Sequence, residues 1–175
     1  IAQAFYCYST QILIKSAKVL GRDADGGFHF NDSKYGDDDL TVGSIKPYQL
    51  FLIFCELVQG MEDTDNPELS WMIDASHNLK DPMEDLLQSV ESIKIAYARA
   101  LLVDYDSLKI AQASNDIAQS QRILQEAFRT DVRPLVMESI SRKGGALDPL
   151  SAYRAFDIRN RLIAARGIDS KSTGL

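Results

Sequence analysis

One histidine and a run of acids follow an apolar alternation early in the chain. His29 lies between Phe28 and Phe30, and the acidic run contains Asp37 and Asp39. If the alternation forms a strand, its period of two sends both phenylalanine rings to one face and the imidazole to the other. Asp37 and Asp39 alternate across one residue, so an extended loop gives their side chains a common direction. An imidazole beside carboxylates is a donor set for a metal ion.

A second short apolar segment, at 71–73, ends in the lone carboxylate of Asp74. An acid at the end of a buried strand is costly unless a cation or a hydrogen-bond donor neutralises it. We therefore group Asp74 with His29, Asp37 and Asp39 as candidate ligands. Carboxylates with a single imidazole suit Mn²⁺, Mg²⁺ or Co²⁺, whereas structural zinc prefers thiolates. The alternative is a solvated acidic loop and a hydrogen-bonded core histidine, because these residue types have no fixed metal spacing.

Two strand, loop and helix units are predicted to position these residues. The predicted elements are a strand at 27–31, a helix at 48–59 ended by Gly60, a strand at 71–74, and a helix at about 83–103 capped by Asp81. The last helix carries an apolar stripe that we expect on the outer face of the sheet, formed by Leu86, Leu87, Val90, Ile93 and Tyr97. Such units are typical of a parallel barrel or a doubly wound sheet, although two strands cannot close a barrel.

The rest of the chain is predicted to be helical. One helix is expected at 3–20, and three more at 105–128, 132–142 and 148–165, with Gly144 and Gly145 between the last two and a frayed tail at 170–175. This pattern divides the chain into residues 1–104, a partial barrel, and residues 105–175, a helical extension.

Composition narrows the function classes. The chain has 175 residues, 45% of them hydrophobic, and a formal charge of -6, which disfavours a nucleic-acid partner. Asp148 and Asp157 interleave with the arginines at 154, 159, 161 and 166, and no aromatic series accompanies them, so we expect a solvated or inter-subunit helix face. No apolar run approaches the ~20 residues that cross a bilayer, so we expect no membrane insertion. Cys7 and Cys55 show no disulfide or zinc spacing, which indicates a reduced, cytoplasmic protein.

Several sequence blocks, in the same order and with similar spacing, resemble those of bacterial L-rhamnose isomerases. The blocks are GGFHFNDSKYGDDDL, PYQLFLIFCELV, MIDASHN with DPMEDLL, YARALLVD and FRTDVRP, between about Gly26 and about Arg166. They are similar to the broad-specificity branch of the family, which also interconverts other aldoses and ketoses such as allose and psicose.

The resemblance implies a (β/α)₈ barrel similar to xylose isomerase, of which this chain is the C-terminal portion followed by a helical extension. It implies two divalent ions, commonly Mn²⁺, with His29 and Asp74 on the structural ion and Asp37 and Asp39 on the catalytic one. It also implies a sugar substrate and a homo-oligomer, a tetramer in most relatives. The other ligands of the family lie upstream of the matching region, and a barrel needs about 250 residues. We therefore expect a fragment.

Three functions follow from these observations. The first is a metal-dependent aldose–ketose isomerase that converts L-rhamnose to L-rhamnulose, by hydride shift or through an enediol, with Asp74 as a candidate base near the O1 hydroxyl. The second is another xylose-isomerase-like metal barrel, an epimerase or dehydratase. The third is a catalytically incomplete fragment. We assign no ligand role to Lys34, interpreted as a surface lysine, or to His77, interpreted as a supporting or helix-capping imidazole.

Overall fold

The computed structural model describes residues 27–35, 39–62, 70–75 and 81–167. These residues form a mixed α/β structure that is mostly helical and contains a small parallel sheet. The elements are β1 (Gly27–Phe30), α1 (Pro47–Glu62), β2 (Ser70–Ile73), α2 (Pro82–Ala100), α3 (Tyr105–Ala113), α4 (Ile117–Arg129), α5 (Arg133–Arg142), α6 (Pro149–Ala155) and α7 (Ile158–Arg166). The helix predicted at 3–20, the tail predicted at 170–175 and Cys7 lie outside the described residues.

The two strands lie side by side and run in the same direction. Phe30 of β1 is opposite Ile73 of β2, and α1 lies in the crossover that parallel neighbours require. Phe30 is buried and stacks on Phe54 of α1 with ring centroids 5.5 Å apart, whereas the side chain of His29 is 60% exposed. The predicted alternation is confirmed, and each strand begins or ends within one residue of its predicted bounds.

Aromatic rings connect the sheet with the helices that follow it. Phe51 and Phe54 of α1 are fully buried. Phe54 contacts Trp71 of β2 at 5.4 Å between ring centroids, and Phe51 contacts Phe128 of α4 at 5.5 Å. The core is therefore continuous across Asp104, the boundary proposed between the partial barrel and the helical extension.

The prediction that Gly60 ends the helix expected at 48–59 is wrong. The helix α1 continues to Glu62, and Gly60 is buried inside it. A glycine in a helix interior costs about 1 kcal/mol relative to alanine. The preceding turn buries Leu57 and Val58 almost completely, and this packing outweighs the cost of one glycine.

Two predicted helices are each divided in two. The helix expected at 105–128 ends in a Schellman motif, in which the amides of Asn115 and Asp116 bond back to the last turn of α3 at 3.1 and 2.9 Å. Asn115 has φ 55°, and the carboxylate of Asp116 then caps α4. The helix expected at 148–165 is interrupted at Asp157, where φ is 48°. Asn and Asp tolerate left-handed backbone. The residues on either side keep a helical periodicity, so the sequence pattern did not indicate these two breaks.

The helix α2 begins as predicted, with Asp81 as its cap and Pro82 in its first turn. Its apolar stripe does not lie wholly on the sheet. Ile93 and Tyr97 join the main core, whereas Val90 is 37% exposed and lines a groove toward α5 and α6. Periodicity defines which face of a helix is apolar but not which neighbour covers it.

Two further observations concern the described residues alone. Cys55 is buried within α1. Within the described ranges, no helix is both long enough and apolar enough to cross a membrane.

Candidate functional site

His29 and Asp74 meet at the carboxyl edge of the sheet. The amide of Asp74 donates to the carbonyl of Phe30 at 2.9 Å, which extends the ladder one step beyond β2. His29 is opposite Met72, and Asp74 follows Met72 by two positions, so the imidazole and the carboxylate share a face. His29 Nδ1 lies 3.4 Å from Asp74 Oδ2, and the two side chains are 60% and 58% exposed. An imidazole nitrogen and a carboxylate oxygen, two kinds of atom that can bind a metal ion, therefore face solvent side by side.

This donor pair fits a hard divalent cation. An imidazole nitrogen and a carboxylate oxygen suit Mn²⁺ or Mg²⁺. Adjacent corners of an octahedron with bonds of about 2.1 Å are about 3 Å apart, close to the 3.4 Å that separates Nδ1 of His29 from Oδ2 of Asp74. A separation of 3.4 Å is long for a hydrogen bond. The contact between the two side chains therefore leaves both atoms able to bind a cation.

Asp39 lies on the loop that follows β1, where its carboxylate Oδ1 accepts a 2.8 Å hydrogen bond from the amide nitrogen of Asn31. Asn31 is two positions after His29, on the same face of the extended chain. The backbone of Asp39 has φ 47° and is left-handed. The backbone at Asp39 is therefore not extended as the prediction assumed. Asp37 lies outside the described residues, so a common direction of the two side chains stays a prediction.

Asp32 holds this loop in place. Its side chain is buried, with Oδ1 accepting from the Ser33 amide at 2.9 Å and Oδ2 accepting from the Ile45 and Lys46 amides at 2.8 Å each. Its backbone forms an antiparallel bridge with Leu40. Because α1 begins at residue 47, the carboxylate also lies at the positive end of that helix. Asp32 thus connects the beginning of the loop, at Ser33, to its end, at Ile45 and Lys46.

The returning half of the loop is fastened to α2. The hydroxyl of Thr41 donates to Asp85 at 2.8 Å, and the amide of Val42 donates to the hydroxyl of Ser89 at 3.1 Å. Val42, Asp85 and Ser89 are all buried. The segment that carries Asp39 is therefore fixed to the second helix as well as to the first.

Two further residues that the sequence analysis considered are Lys34 and His77. Lys34 is exposed, with its ammonium 4.9 Å from the centroid of the Tyr35 ring, which confirms a surface lysine. His77 lies outside the described residues. Among the side chains that the structure does describe, no three from His, Cys, Asp and Glu gather in one group able to hold an ion. Of the candidate ligands, the described residues thus include the pair His29 and Asp74, with Asp39 on the loop that follows β1.

Comparison with known proteins gives relatives of one kind. The chain is 47% identical over 142 residues to a probable sugar isomerase of Mesorhizobium japonicum and 48% identical over 142 residues to a probable sugar isomerase of Rhizobium meliloti. This chain is similar to part of two probable sugar isomerases. Each match covers 81% of the chain and 33% of the relative, so the chain spans about a third of their length. No family model matches the chain.

These comparisons agree with the isomerase class that the resemblance implied, and the names of the relatives do not specify a sugar. The sequence predictions missed Asp32, Asp85 and Ser89, which position the loop. Apart from the Ser33 amide, which bonds Asp32, their side-chain partners are 13 to 47 residues away in the sequence, so no local pattern identifies them. The strand-end position of Asp32 was the one available signal.

Proposed function

We propose that this chain is the C-terminal part of a metal-dependent aldose–ketose isomerase built on a (β/α)₈ barrel, which converts L-rhamnose to L-rhamnulose and accepts related aldoses. The observation that carries the proposal is the pairing of His29 and Asp74 across two parallel strands at their carboxyl edge. Active sites of barrel enzymes lie at that edge. The similarity to two probable sugar isomerases supports the same class.

In this proposal, His29 and Asp74 hold one divalent ion, with Mn²⁺ as the preferred metal and Mg²⁺ or Co²⁺ as substitutes. Asp37 and Asp39 help to hold a second. Such ions, when bound, act as Lewis acids that stabilise negative charge on substrate oxygens and orient the sugar.

The chain's own residues supply positioning and a proton acceptor. Asn31 holds the Asp39 carboxylate in one orientation through its 2.8 Å hydrogen bond. In the ketose-to-aldose direction a hydrogen moves from C1 to C2 while the O1 hydroxyl proton passes to O2. Asp74 is the proposed acceptor and donor of that hydroxyl proton, because its carboxylate is exposed at the edge where the sugar would lie.

The whole protein is proposed to act in the cytoplasm as a homo-oligomer, a tetramer by resemblance, with a small-molecule sugar as its ligand. The sequence spacing of the two cysteines, which does not suggest a disulfide framework, supports a reducing compartment.

A second candidate is that the chain alone has no catalytic activity. Two observations favour it: the chain spans about a third of its relatives, and the described residues contain no group of three ligand side chains. Both candidates agree that the remaining strands are needed for turnover.

A chimera tests the proposed function. The 142 matched residues of the Rhizobium meliloti relative are replaced by those of this chain, and the purified chimera is assayed with Mn²⁺ on L-rhamnose, other aldoses, sugar epimers and dehydratase substrates. We expect aldose–ketose interconversion. Retention of deuterium from the substrate carbon would indicate a hydride shift, and its loss to water an enediol.

Variants of the chimera test the residues. We expect His29→Ala and Asp74→Asn each to lower activity by about 100-fold or more, because loss of a residue that only supports a metal ligand already costs about 10- to 100-fold. Met72→Leu is the matched control, because Met72 is opposite His29 and on the same face of the sheet but carries neither an imidazole nor a carboxylate. This variant should keep its activity. An active unmodified relative beside a chimera that converts none of the aldoses would refute the proposal.

A further inference from the structure

The loop that carries Asp39 lies against one polar face of α2. Three residues make up this face, at helical spacings of four and three: Asp85, Ser89 and Ser92. Asp85 and Ser89 are buried, and buried polar groups need hydrogen-bond partners. The loop supplies such partners, so this polar face of α2 receives its returning half.

Two hydrogen bonds join the loop to this face. The hydroxyl of Thr41 donates to Oδ1 of Asp85 at 2.8 Å, and the amide of Val42 donates to the hydroxyl of Ser89 at 3.1 Å. Val42 is also buried, so an apolar contact accompanies the two bonds. A carboxylate acceptor makes the bond from Thr41 the stronger of the two.

Gly43 and Ser92 show how closely the loop and α2 approach each other. A Cβ added to Gly43 would lie 3.1 Å from the Cβ of Ser92, whereas carbon atoms pack best at about 3.5 to 4.0 Å. The backbone of Gly43 also has φ 75°, which favours glycine. The turn at Gly43 therefore fits against α2 because neither residue carries a large side chain.

These contacts adjoin Asp39 through an unbroken stretch of described chain. Leu40 follows Asp39 directly; its amide donates to the Asp32 carbonyl at 2.8 Å, and the Asp32 amide donates to the Leu40 carbonyl at 2.9 Å. Thr41 is the next residue. Asp39 itself has φ 47°, a backbone that is unfavourable for a residue with a Cβ and that persists where its surroundings hold it. The bridge at Leu40 and the bonds of Thr41 and Val42 are such surroundings.

The side chain of Asp39 is held by a separate contact, with Asn31. The side-chain nitrogen of Asn31 donates to Oδ1 of Asp39 at 2.8 Å. Asn31 lies on the outgoing half of the loop, directly before Asp32. The contact between Asn31 and Asp39 therefore depends on the placement of the returning half, and the side-chain amide of Asn31 reports on the position of the Asp39 carboxylate.

We propose that Asp85 is a positioning residue of the candidate site: by accepting the hydrogen bond from Thr41, it fixes the backbone at Asp39 and so places the Asp39 carboxylate beside Asn31. The helix α2 thus acts on Asp39 through the loop. Its importance for metal binding rests on the proposed function, in which Asp39 helps to hold the second ion.

Nuclear magnetic resonance on the full chain tests the proposal. Thr41→Val removes the hydroxyl and keeps the branched shape of the side chain. We expect the Leu40 amide to exchange with solvent about tenfold faster, since a hydrogen bond to a charged group is worth at least that factor. We also expect the Asn31 side-chain amide signals to move toward the positions that they take in Asp39→Ala, where their acceptor is removed.

Two further threonine variants are matched controls. Thr41→Ser keeps the hydroxyl that bonds Asp85, so both measurements should stay close to those of the parent. Thr130→Val removes a hydroxyl that donates to the Glu126 carbonyl at 2.9 Å, at the end of α4, and should leave both measurements unchanged.

Asp85→Ala removes the acceptor of the same hydrogen bond and should produce the same two changes as Thr41→Val. Because Asp85 is buried, its replacement also lowers the stability of the fold. If this variant does not fold, Thr41→Val alone decides the outcome.

Two results would overturn the positioning role. One is an Asn31 signal or a Leu40 exchange rate that stays at its parent value in Thr41→Val. The other is acceleration of the Asp74 amide by the same factor as the Leu40 amide. The Asp74 amide bonds the Phe30 carbonyl in the sheet, so equal acceleration would show a general loss of stability.

Manganese titration separates this proposal from the proposed function. We expect Thr41→Val to bind Mn²⁺ about fivefold more weakly than Thr130→Val, because a misplaced ligand loses part of its contact energy. Equal affinities would overturn the link to metal binding. If the unmodified chain binds no Mn²⁺, the proposed function is what fails, and the Leu40 and Asn31 measurements alone then support or overturn the positioning role.

Discussion

Asp32 and Asp74 end their strands at the same edge of the sheet, but their surroundings give their carboxylates different roles. Asp32 is buried and accepts three backbone amide bonds. Asp74 is 58% exposed, with an imidazole as its neighbour. A carboxylate whose oxygens are occupied by amides has little capacity left for a cation, whereas an exposed one keeps its lone pairs. At the scale of the residue, Asp32 builds the loop and Asp74 remains available for chemistry.

Replacement of Asp32 by alanine should destabilise the protein. The change leaves the buried amides of Ile45 and Lys46 without their acceptor, and we expect a loss of about 3 kcal/mol in the free energy of unfolding. Urea denaturation measures it. Asp106→Ala, at an exposed acid in the first turn of α3, is the control and should cost less than about 1 kcal/mol. Similar losses in both variants would contradict the role of Asp32.

The pKa of Asp131 is lowered to about 2, first by the side-chain hydrogen bond from Arg133 and then by the Arg133 amide. A lowered carboxyl pKa contributes stability above its ordinary value of 3.8, and the contribution is lost as pH falls through about 2. NMR titration of the Asp131 carboxyl should give a midpoint near that value, and Arg133→Gln should move it upward. A midpoint unchanged by Arg133→Gln would contradict this assignment.

At the scale of the element, the parts predictable from sequence were those with local signals. The alternation around His29 and the acid–proline pair at Asp81 specified β1 and the start of α2. Gly60 misled the prediction, because a single glycine signal is weaker than the burial of a whole helix face. The contact of Tyr153 with Asp81 was not predictable, since two residues 72 positions apart share no local pattern. The candidate ligands were identified by residue type, and their pairing followed only from the strand register.

The break between α3 and α4 gives a test at this scale. Asn115 occupies left-handed backbone at φ 55° in a Schellman motif. We expect Asn115→Ala to cost about 1 kcal/mol of stability, because a Cβ-bearing residue without a compensating amide is strained there. Asn115→Gly should stay within about 0.5 kcal/mol of the parent. Thermal unfolding measures both.

Gly144 is the matched comparison for this test. It also ends a helix in left-handed backbone, at φ 71°, and an added Cβ meets nothing within 4 Å. Gly144→Ala should therefore lose about 1 kcal/mol from backbone strain alone. If Asn115→Gly were more damaging than Asn115→Ala, the conformational explanation of the break would be wrong.

At the scale of the whole molecule, one aromatic core joins the two-stranded sheet to the helices after Asp104. This continuity gives the helical part of the chain a role in stabilising the strands that carry His29 and Asp74. A sheet of two strands among the described residues also agrees with a chain that spans about a third of the length of its relatives.

Phe128→Ala tests this continuity. The ring lies in α4 and contacts Phe51 and Tyr48 of α1 at 5.5 and 4.9 Å between centroids, so we expect a loss of about 3 kcal/mol. Trp71, the single tryptophan, reports on the sheet by fluorescence, and circular dichroism reports on the helices. Both transitions should shift together. A Trp71 transition that stays in place while the helices are destabilised would show that the core is not shared.

The central claim is that His29 and Asp74 hold one divalent ion together, and electron spin-echo spectroscopy of bound Mn²⁺ tests it most directly. The chain has two histidines, His29 and His77, so a nitrogen coupled to the metal can be assigned by replacing each in turn. We predict that the coupling is present in the unmodified chain and in His77→Ala, is lost in His29→Ala, and that Asp74→Asn weakens Mn²⁺ binding by about tenfold or more. Coupling that persists in His29→Ala, or Mn²⁺ affinity unaffected by Asp74→Asn, would contradict the claim.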